Sequence, residues 1–230
     1  HTSGFPRLPE NIFLGNVDPQ DPYKHYVEDS LFSYLRSYKL TGTPGKTFSY
    51  SNFGAGVLST IMERKKGRSF EDMIETEIAI PLGMKNTTVT LSTTQQKNFA
   101  QGYNEKGEPT SPWDLASLKG SGAIRSTLND MVIYARAQLG MNKKLKRAIN
   151  LSHKVTFAGE YESMGLGWRI KTSSENNYLH HSGGTGGFRS FVGFDVAQNL
   201  AVVILSNAAE DVTAIGEHIL SAKLGNTSIQ

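Results

Sequence analysis

The most informative stretch of this sequence is His180-His181-Ser182-Gly183-Gly184-Thr185-Gly186-Gly187-Phe188. Glycine weakens a strand, so its density here indicates that another backbone or a ligand approaches closely. The stretch is not a phosphate-binding loop, because no Lys-Ser/Thr pair follows the glycines. It also fails the dinucleotide-binding pattern, since Arg189 stands where that pattern requires glycine. A glycine-rich hairpin without any site is the alternative interpretation.

The two adjacent histidines of this stretch face opposite sides if it forms a strand, because successive side chains alternate. They therefore cannot bind one metal together, and no second group of histidines or carboxylates at ligand spacing completes a zinc site. The sequence contains no cysteine, which excludes a disulfide framework and a thiolate nucleophile. We expect one histidine to face a cleft and the other to face packing or solvent, with no metal and no other cofactor.

Patterns typical of strands surround this stretch and predict an antiparallel meander. Tight turns separate four predicted strands, at residues 165–170, 178–182, 190–196 and 200–206. Within the last strand, Val202-Val203-Ile204-Leu205 is an unbroken apolar run, as expected for a strand covered on both faces. An amphipathic helix is predicted at residues 212–224.

The first two-thirds of the chain is predicted to be mostly helical. Helical spacing of apolar residues and suitable capping residues predict four helices, at residues 31–37, 51–66, from Ser69 to before Pro81, and 127–139. Residues 86–110 alternate and turn, which predicts short strands there. This order predicts an α+β fold, with a mostly helical subdomain at residues 1–155 followed at residues 156–230 by an antiparallel sheet with a C-terminal helix.

A second motif, Tyr50-Ser51-Asn52, stands at the start of a predicted helix, after Pro44-Gly45. A tyrosine and an asparagine two residues apart at a helix start can point together into one cleft. The tyrosine oxygen can transfer protons there, and the asparagine amide can hold a substrate carbonyl or a neighbouring lysine. The alternative is that Ser51 or Asn52 simply caps the helix while Tyr50 packs on its first turn.

Composition and charge exclude several classes of partner. Hydrophobic residues make up 38% and charged residues 20% of the 230 residues, which is typical of a globular protein with a core. The net charge is only +3. The basic cluster around Gly67 has the spacing of a helix end, and the basic cluster around Lys144 has that of a solvated helix face. We therefore expect no nucleic-acid partner. No apolar run reaches the roughly 18 residues of a membrane span, so no transmembrane segment is predicted in this chain.

Together, Tyr50-Ser51-Asn52 and His181-Ser182-Gly183 resemble the second and third sequence boxes of the class C β-lactamase and penicillin-binding-protein family of serine hydrolases, which includes related esterases and D-aminopeptidases. Further resemblances follow in the same order along the chain, at His1–Gly4, Pro81–Met84, Gly122–Asp130 and Gly165–Trp168. The resemblance implies a β-lactamase/transpeptidase-like fold and acyl transfer (ester, amide or β-lactam hydrolysis) through a serine acyl-enzyme.

The resemblance also implies a role for each matching residue. Tyr50 would move protons, Asn52 would orient the substrate, and His181 would take the place of the family's third-box lysine. Substrate and oxyanion binding would fall to Ser182, Gly183 and Gly184. The implied substrates are small esters, amides, D-amino-acid peptides or β-lactams, and a periplasmic or secreted location is favoured. Because histidine binds a carboxylate less strongly than lysine near neutral pH, its presence favours ester or D-amino-acid peptide substrates.

One part of the family pattern has no counterpart in this sequence. The first box, Ser-x-x-Lys, carries the nucleophile, and no serine here has lysine three residues on. In the family that box precedes the segment matching His1–Gly4. We therefore expect this chain to be the C-terminal portion of such a hydrolase, without the N-terminal strands and the nucleophile helix. This portion is expected to be inactive alone. The missing segment is expected elsewhere in the protein or as a companion chain. The alternative is a non-catalytic binding module.

Overall fold

The structure is a computed structural model that describes residues 1–160, 162–172 and 177–222. Its helices are α1 (Glu28–Ser37), α2 (Asn52–Lys66), α3 (Phe70–Ile74), α4 (Ile80–Leu82), α5 (Thr93–Asn98), α6 (Leu128–Arg136), α7 (Lys146–Ser152) and α8 (Thr213–Ser221). Its strands are β1 (Gly102–Tyr103), β2 (Pro109–Thr110), β3 (Ser163–Met164), β4 (Arg169–Thr172), β5 (Asn177–Thr185), β6 (Phe188–Asp195) and β7 (Leu200–Ser206). Short 3₁₀ helices lie at Glu10–Phe13 and Ala116–Ser121, and short π helices lie at Glu75–Ala79 and Ala137–Met141.

Five strands form one antiparallel sheet in the order β3-β4-β5-β6-β7, so each strand pairs with its neighbour in the chain. The long strands β5 and β6 meet at the turn Gly186-Gly187, where Gly187 has a φ of +72°. Helix α8 packs on β6 and β7. The predicted α+β class and antiparallel meander are confirmed. Of the closing helix predicted at 212–224, residues 223 and 224 lie outside the described residues.

The strand predicted at residues 165–170 is wrong in its bounds. β3 ends at Met164 and β4 begins at Arg169, and the residues between them form a turn closed by a 2.8 Å hydrogen bond from the Gly165 N–H to the Trp168 carbonyl. Gly167 has a φ of +85°, a conformation that glycine adopts without a steric penalty. The two glycines therefore mark a reversal of the chain rather than a strand.

The prediction that the apolar run of β7 is covered on both faces is wrong at its end. Val202 is buried, but Leu205 is 43% exposed. Within the described residues, β7 is the outer strand of the sheet and pairs only with β6. An outer strand has fewer neighbours to cover its side chains than a central one, and the apolar pattern cannot distinguish the two positions.

Helix α2 organises the helical part of the chain, and it begins and ends where the sequence predicts. Ser51 is its N-cap, with the Gly54 N–H donating to Ser51 Oγ at 2.8 Å. The helix ends at Gly67, whose φ of +64° is the left-handed conformation of a C-cap. Phe53 and Val57 bury its inner face against α1 and the 3₁₀ turn at Ala116–Ser121. The basic cluster before Gly67 is thus a helix end, as predicted.

The helix that starts at Ser69 does not end before Pro81, as predicted, but continues through it. After α3, the chain forms the π turn Glu75–Ala79 and then α4, which contains Pro81 and ends at Gly83 with a φ of +81°. Proline is tolerated in the first turn of a helix because its missing N–H has no intrahelical partner there. Where the hydrogen-bond pattern changes from π to α, a new first turn begins inside the longer helix, and Pro81 lies in that turn.

Residues 86–110 contain one helix that the strand prediction missed. α5 starts at a capping box, in which the Gln95 N–H donates to Ser92 Oγ at 3.3 Å and the Ser92 N–H donates to Gln95 Oε1 at 2.9 Å. The Ser-x-x-Gln spacing was a visible signal of this helix start. The predicted short strands are present only as the two-residue pair β1 and β2.

The start of α6 is tied to the segment before α5 by a buried carboxylate. Thr127 caps the helix, as predicted, by accepting the Asp130 N–H at 3.3 Å. The Asp130 side chain, only 3% exposed, accepts hydrogen bonds from the Asn86 N–H at 2.7 Å and the Thr87 hydroxyl at 2.8 Å. One side chain therefore holds two distant segments in register.

Replacing Asp130 with alanine should lower the free energy of unfolding by about 2 kcal/mol, because the Asn86 N–H and the Thr87 hydroxyl lose the buried carboxylate that accepts from them. Urea denaturation followed by circular dichroism measures the change. The neighbouring exposed residue Asn129 provides the control, since Asn129→Ala should alter stability by less than about 0.5 kcal/mol. Equal stability of the two variants would contradict the structural role given to Asp130.

Candidate active site

Tyr50 is held in place by the residue that follows it. Ser51 is 1% exposed and, besides capping α2, donates its hydroxyl to the Pro6 carbonyl at 2.6 Å. Its backbone N–H donates to His1 Nδ1 at 3.1 Å. Ser51 is therefore a helix cap, as predicted by the alternative interpretation that Ser51 or Asn52 caps the helix. This capping role leaves the Tyr50 side chain free for another function.

The Tyr50 ring lies close to two histidine rings. Its centroid is 4.1 Å from that of His1 and 6.3 Å from that of His181. Tyr50 precedes α2 and His181 lies on β5, so the fold brings together side chains from the helical part and from the sheet. Their proximity is what the two-motif hypothesis requires.

Asn52, the third residue of the motif, begins α2 and is half-buried. Its backbone N–H donates to the Arg7 carbonyl at 3.0 Å, which ties the first turn of the helix to the N-terminal segment. Among the described residues, the Asn52 side chain has no hydrogen-bond partner. The structure thus fixes the backbone of Asn52 and leaves its amide available.

His181 carries its proton on a defined nitrogen when the ring is neutral. Its Nδ1 lies 2.7 Å from the Ser182 carbonyl oxygen, and a carbonyl can only accept, so Nδ1 is the protonated nitrogen. Burial lowers the pKa of His181, the bond to Ser182 opposes that shift, and the nearby positive charge of Arg169 adds to it. The neutral ring therefore prevails at pH 7 and offers Nε2 as a hydrogen-bond and proton acceptor.

His180 faces the other side of the sheet, as strand alternation predicts. It is 2% exposed and stacks on Phe191, with ring centroids 5.6 Å apart. Its Nε2 lies 3.2 Å from Glu162 Oε1 and 3.6 Å from Glu217 Oε1. Burial lowers the pKa of His180 although both carboxylates oppose the shift. His180 is thus a packed residue, and His181 is the histidine that faces Tyr50.

The glycines that follow His181 fall into two groups. Gly186 and Gly187 pack against another part of the chain, because a Cβ at these positions would lie 2.6 Å from the Ser111 carbonyl oxygen and 2.3 Å from Thr110 Cγ2. The close approach of another backbone, which the glycine density predicts, is therefore confirmed at Gly186 and Gly187. Gly183 and Gly184 are exposed instead. Ser182 lies between His181 and these glycines and is half-buried.

Two arginines near Tyr50 were not anticipated from the sequence. The guanidinium carbons of Arg7 and Arg169 lie 5.5 Å and 6.0 Å from the centre of the Tyr50 ring. Arg169 begins β4, directly opposite His180 in the sheet register, and its Nη1 donates to the Glu162 carboxylate. The sequence places Arg169 one predicted strand before the histidine pair, but that position alone does not predict its approach to Tyr50.

The described part of the chain contains no cluster of three or more histidine, aspartate or glutamate side chains that could hold a metal ion. Within the same residues, no helix combines the length and the apolar character needed to cross a membrane.

Comparison with known proteins gives consistent matches along the chain. It is 24% identical to a β-lactamase of Pseudomonas fluorescens, over 84% of this chain and 63% of that protein. It is 25% identical to the D-alanyl-D-alanine-carboxypeptidase/endopeptidase AmpH of Escherichia coli (strain K12), over 89% of this chain and 56% of that protein. The chain thus spans 56% to 63% of the length of these two relatives.

The fold agrees with these sequence relationships. A solved structure of a class C β-lactamase superposes with a TM-score of 0.81 and 26% identity, covering 98% of this chain and 68% of that protein. The profile of the Beta-lactamase family matches residues 1–224, nearly the whole chain. The chain belongs to the Beta-lactamase family.

Proposed function

We propose that this chain supplies the proton-transfer and substrate-binding parts of a serine hydrolase that transfers acyl groups through an acyl-enzyme. The observation that carries the proposal is the proximity of Tyr50 to a neutral His181, with ring centroids 6.3 Å apart. A phenol beside an imidazole with a free acceptor nitrogen can pass a proton between a nucleophile and a leaving group. Family membership supports the same chemistry.

In this proposal, each motif residue has one role. Tyr50 moves the proton, and His181 accepts a hydrogen bond or proton at Nε2. Asn52 uses its available amide to orient the acyl side of the substrate. The exposed backbone of Gly184 provides one N–H of the oxyanion hole, and Ser182 and Gly183 line the substrate-binding strand. The relatives' names support β-lactams and D-alanyl peptides as substrates, and the histidine at 181 favours esters and D-amino-acid peptides.

The nucleophile is proposed to be a serine of a Ser-x-x-Lys box that lies outside residues 1–230, either earlier in the same gene product or on a companion polypeptide. Two facts support this: the sequence has no such box, and the chain spans only part of each relative. A fluorophosphonate label on the full-length gene product, located by peptide mass spectrometry, identifies the nucleophile directly.

The kcat/KM of the full-length gene product for p-nitrophenyl butyrate should rise with pH and level off near neutrality. The pKa of His181 lies below its ordinary value of about 6.5, so the neutral ring is complete at pH 7 and is lost as pH falls through that lower range. A pH–rate profile from about pH 5 to pH 8 measures the effect.

The control for this profile is His25, which is exposed and lies in the helical part of the chain. His25→Asn should keep the wild-type profile, whereas His181→Asn should remove the step assigned to the histidine. A His181→Asn enzyme that retains both the rate and the step would rule out the proposed role of His181.

The second candidate function is a non-catalytic module that binds a peptide or β-lactam without turning it over. It is favoured by the absence of Ser-x-x-Lys from residues 1–230. Stoichiometric, reversible binding of a labelled penicillin by a full-length gene product that never forms a covalent adduct would support this function over hydrolysis.

A further inference from the structure

The Tyr50 side chain is not held by its own polar atom. Among the described residues, the Tyr50 hydroxyl has no hydrogen-bond partner, and the ring is half-buried at the point where the chain enters α2. A group that transfers protons has to be placed accurately, because a misplacement of about 1 Å can cost about 100-fold in rate. The position of Tyr50 therefore depends on what holds its backbone and its ring.

His1 binds the backbone on both sides of Tyr50. The Ser49 N–H donates to the His1 carbonyl at 2.8 Å, and the Ser51 N–H donates to His1 Nδ1 at 3.1 Å. Ser51 is 1% exposed, so loss of the ring nitrogen would leave a buried N–H without its acceptor, which is costly. One residue from a distant part of the sequence thus fixes the two residues that flank Tyr50.

The His1 ring also packs against the Tyr50 ring. Their centroids are 4.1 Å apart, and their planes are inclined by 33°. The centroid of His181 is 6.3 Å from that of Tyr50, and the guanidinium carbons of Arg7 and Arg169 are 5.5 Å and 6.0 Å from it. His1 is therefore the nearest of these four groups to the Tyr50 ring.

The His1 ring has a defined orientation, which differs from that of His181. Because a backbone N–H can only donate, Nδ1 of His1 is unprotonated, and the neutral ring carries its proton on Nε2. The Phe48 ring packs edge-on against it, with centroids 5.8 Å apart and planes at 86°. His181 carries its proton on Nδ1 instead and keeps Nε2 as an acceptor. The acceptor nitrogen of His1 is already engaged, which suits it to holding a neighbour rather than to accepting a proton.

We infer that His1 is a positioning residue that holds Tyr50 for proton transfer, through the Ser51 N–H and through contact between the two rings. This inference rests on the proposed acyl-transfer function and deepens it. It gives the two histidines beside Tyr50 different roles. His181 accepts a hydrogen bond or proton, whereas His1 affects the reaction only through Tyr50.

The test is a double-mutant cycle in the full-length gene product, with p-nitrophenyl butyrate as substrate. His1→Ala should lower kcat about 10-fold and change KM by less than about twofold, as expected for a misplaced catalytic group. In the Tyr50→Phe background, His1→Ala should change kcat by less than about twofold, because the hydroxyl that His1 positions is already absent. His1→Asn should regain part of the kcat lost in His1→Ala, since its side-chain oxygen can accept the Ser51 N–H.

His153 provides the matched control, because it makes contacts of the same kinds elsewhere in the fold. Its Nε2 lies 2.8 Å from Gln138 Oε1, and its ring packs against Phe194 with centroids 5.0 Å apart. His153→Ala should keep the wild-type kcat within about twofold. The inference is overturned if His1→Ala keeps the wild-type kcat, if its loss is equal in the two backgrounds, or if His1→Asn is no better than His1→Ala. A loss of the same size in His153→Ala also overturns it.

A measurement without turnover separates this inference from the proposed function. The backbone order parameter of Tyr50, from ¹⁵N relaxation, should fall below the value of about 0.85 for rigid backbone in His1→Ala and return toward it in His1→Asn. Val57 in α2 is the internal reference and should stay unchanged. If the wild type does not hydrolyse the ester, the proposed function fails, and the inference stands or falls on this order parameter. An unchanged value at Tyr50, or an equal fall at Val57, overturns it.

Discussion

Replacing Tyr50 with phenylalanine should lower kcat of the full-length gene product for p-nitrophenyl butyrate about 100-fold or more, the usual size of a general acid–base contribution. The substitution removes the phenolic oxygen and keeps the ring, so the ring contact with His1 and the proximity to His181 persist. A loss of rate without loss of folding then reports proton transfer. Steady-state kinetics, with circular dichroism of the same preparation, measures both.

The control for Tyr50 is Tyr103, which is partly exposed on β1 and whose hydroxyl has no partner among the described residues. Tyr103→Phe should keep the wild-type rate. A Tyr50→Phe enzyme with full esterase activity would rule out Tyr50 as the group that moves the proton.

The largest expected difference lies between residues 1–230 alone and the full-length gene product. Residues 1–230 should not react with a fluorophosphonate probe and should hydrolyse neither p-nitrophenyl butyrate nor nitrocefin above the rate of the buffer. Tyr50 and His181 can move protons, but an acyl-enzyme requires an activated nucleophile. Gel fluorescence after labelling, with circular dichroism to verify that the chain is folded, measures the difference.

The position of the label distinguishes the possible outcomes. In the full-length gene product, the labelled peptide should lie outside residues 1–230 and contain Ser-x-x-Lys. A covalent adduct on a serine within residues 1–230, such as Ser51 or Ser182, would place the nucleophile in this chain and refute the proposed division of roles.

The sequence predicted the fold well where patterns are long and bounded by turn residues. β7 has the predicted bounds because its apolar run is flanked by Asn199, with a φ of +53°, and by Ser206-Asn207. Helix α2 has the predicted bounds because it has both a cap and a terminal glycine. The apolar pattern did not predict the short helix α5 or the continuation of the helix through Pro81. Both depend on local hydrogen bonds rather than on a regular spacing of apolar residues.

The candidate site could be predicted in its residues but not in its surroundings. Tyr50 and His181 belong to recognisable motifs, and their proximity is what the resemblance of those motifs to the family's second and third boxes implies. Arg169 was missed because its relation to Tyr50 depends on the β4–β5 register and on a long side chain held by Glu162. Such contacts join residues from different elements, and no local pattern records them. The roles of Tyr50, Asn52 and His181 stay predictions until the variants are measured.

Ser51 has a consequence for how this site can vary. A motif written with a free middle position invites a library in which that position is randomised. Here the middle side chain both donates to Pro6 and accepts from Gly54, while its backbone binds His1. Few side chains could do the same in so closed a space, and even threonine adds a methyl group to it. In a mutational scan, position 51 should therefore tolerate as few substitutions as Tyr50 and Asn52. The three residues should be replaced or retained as one unit.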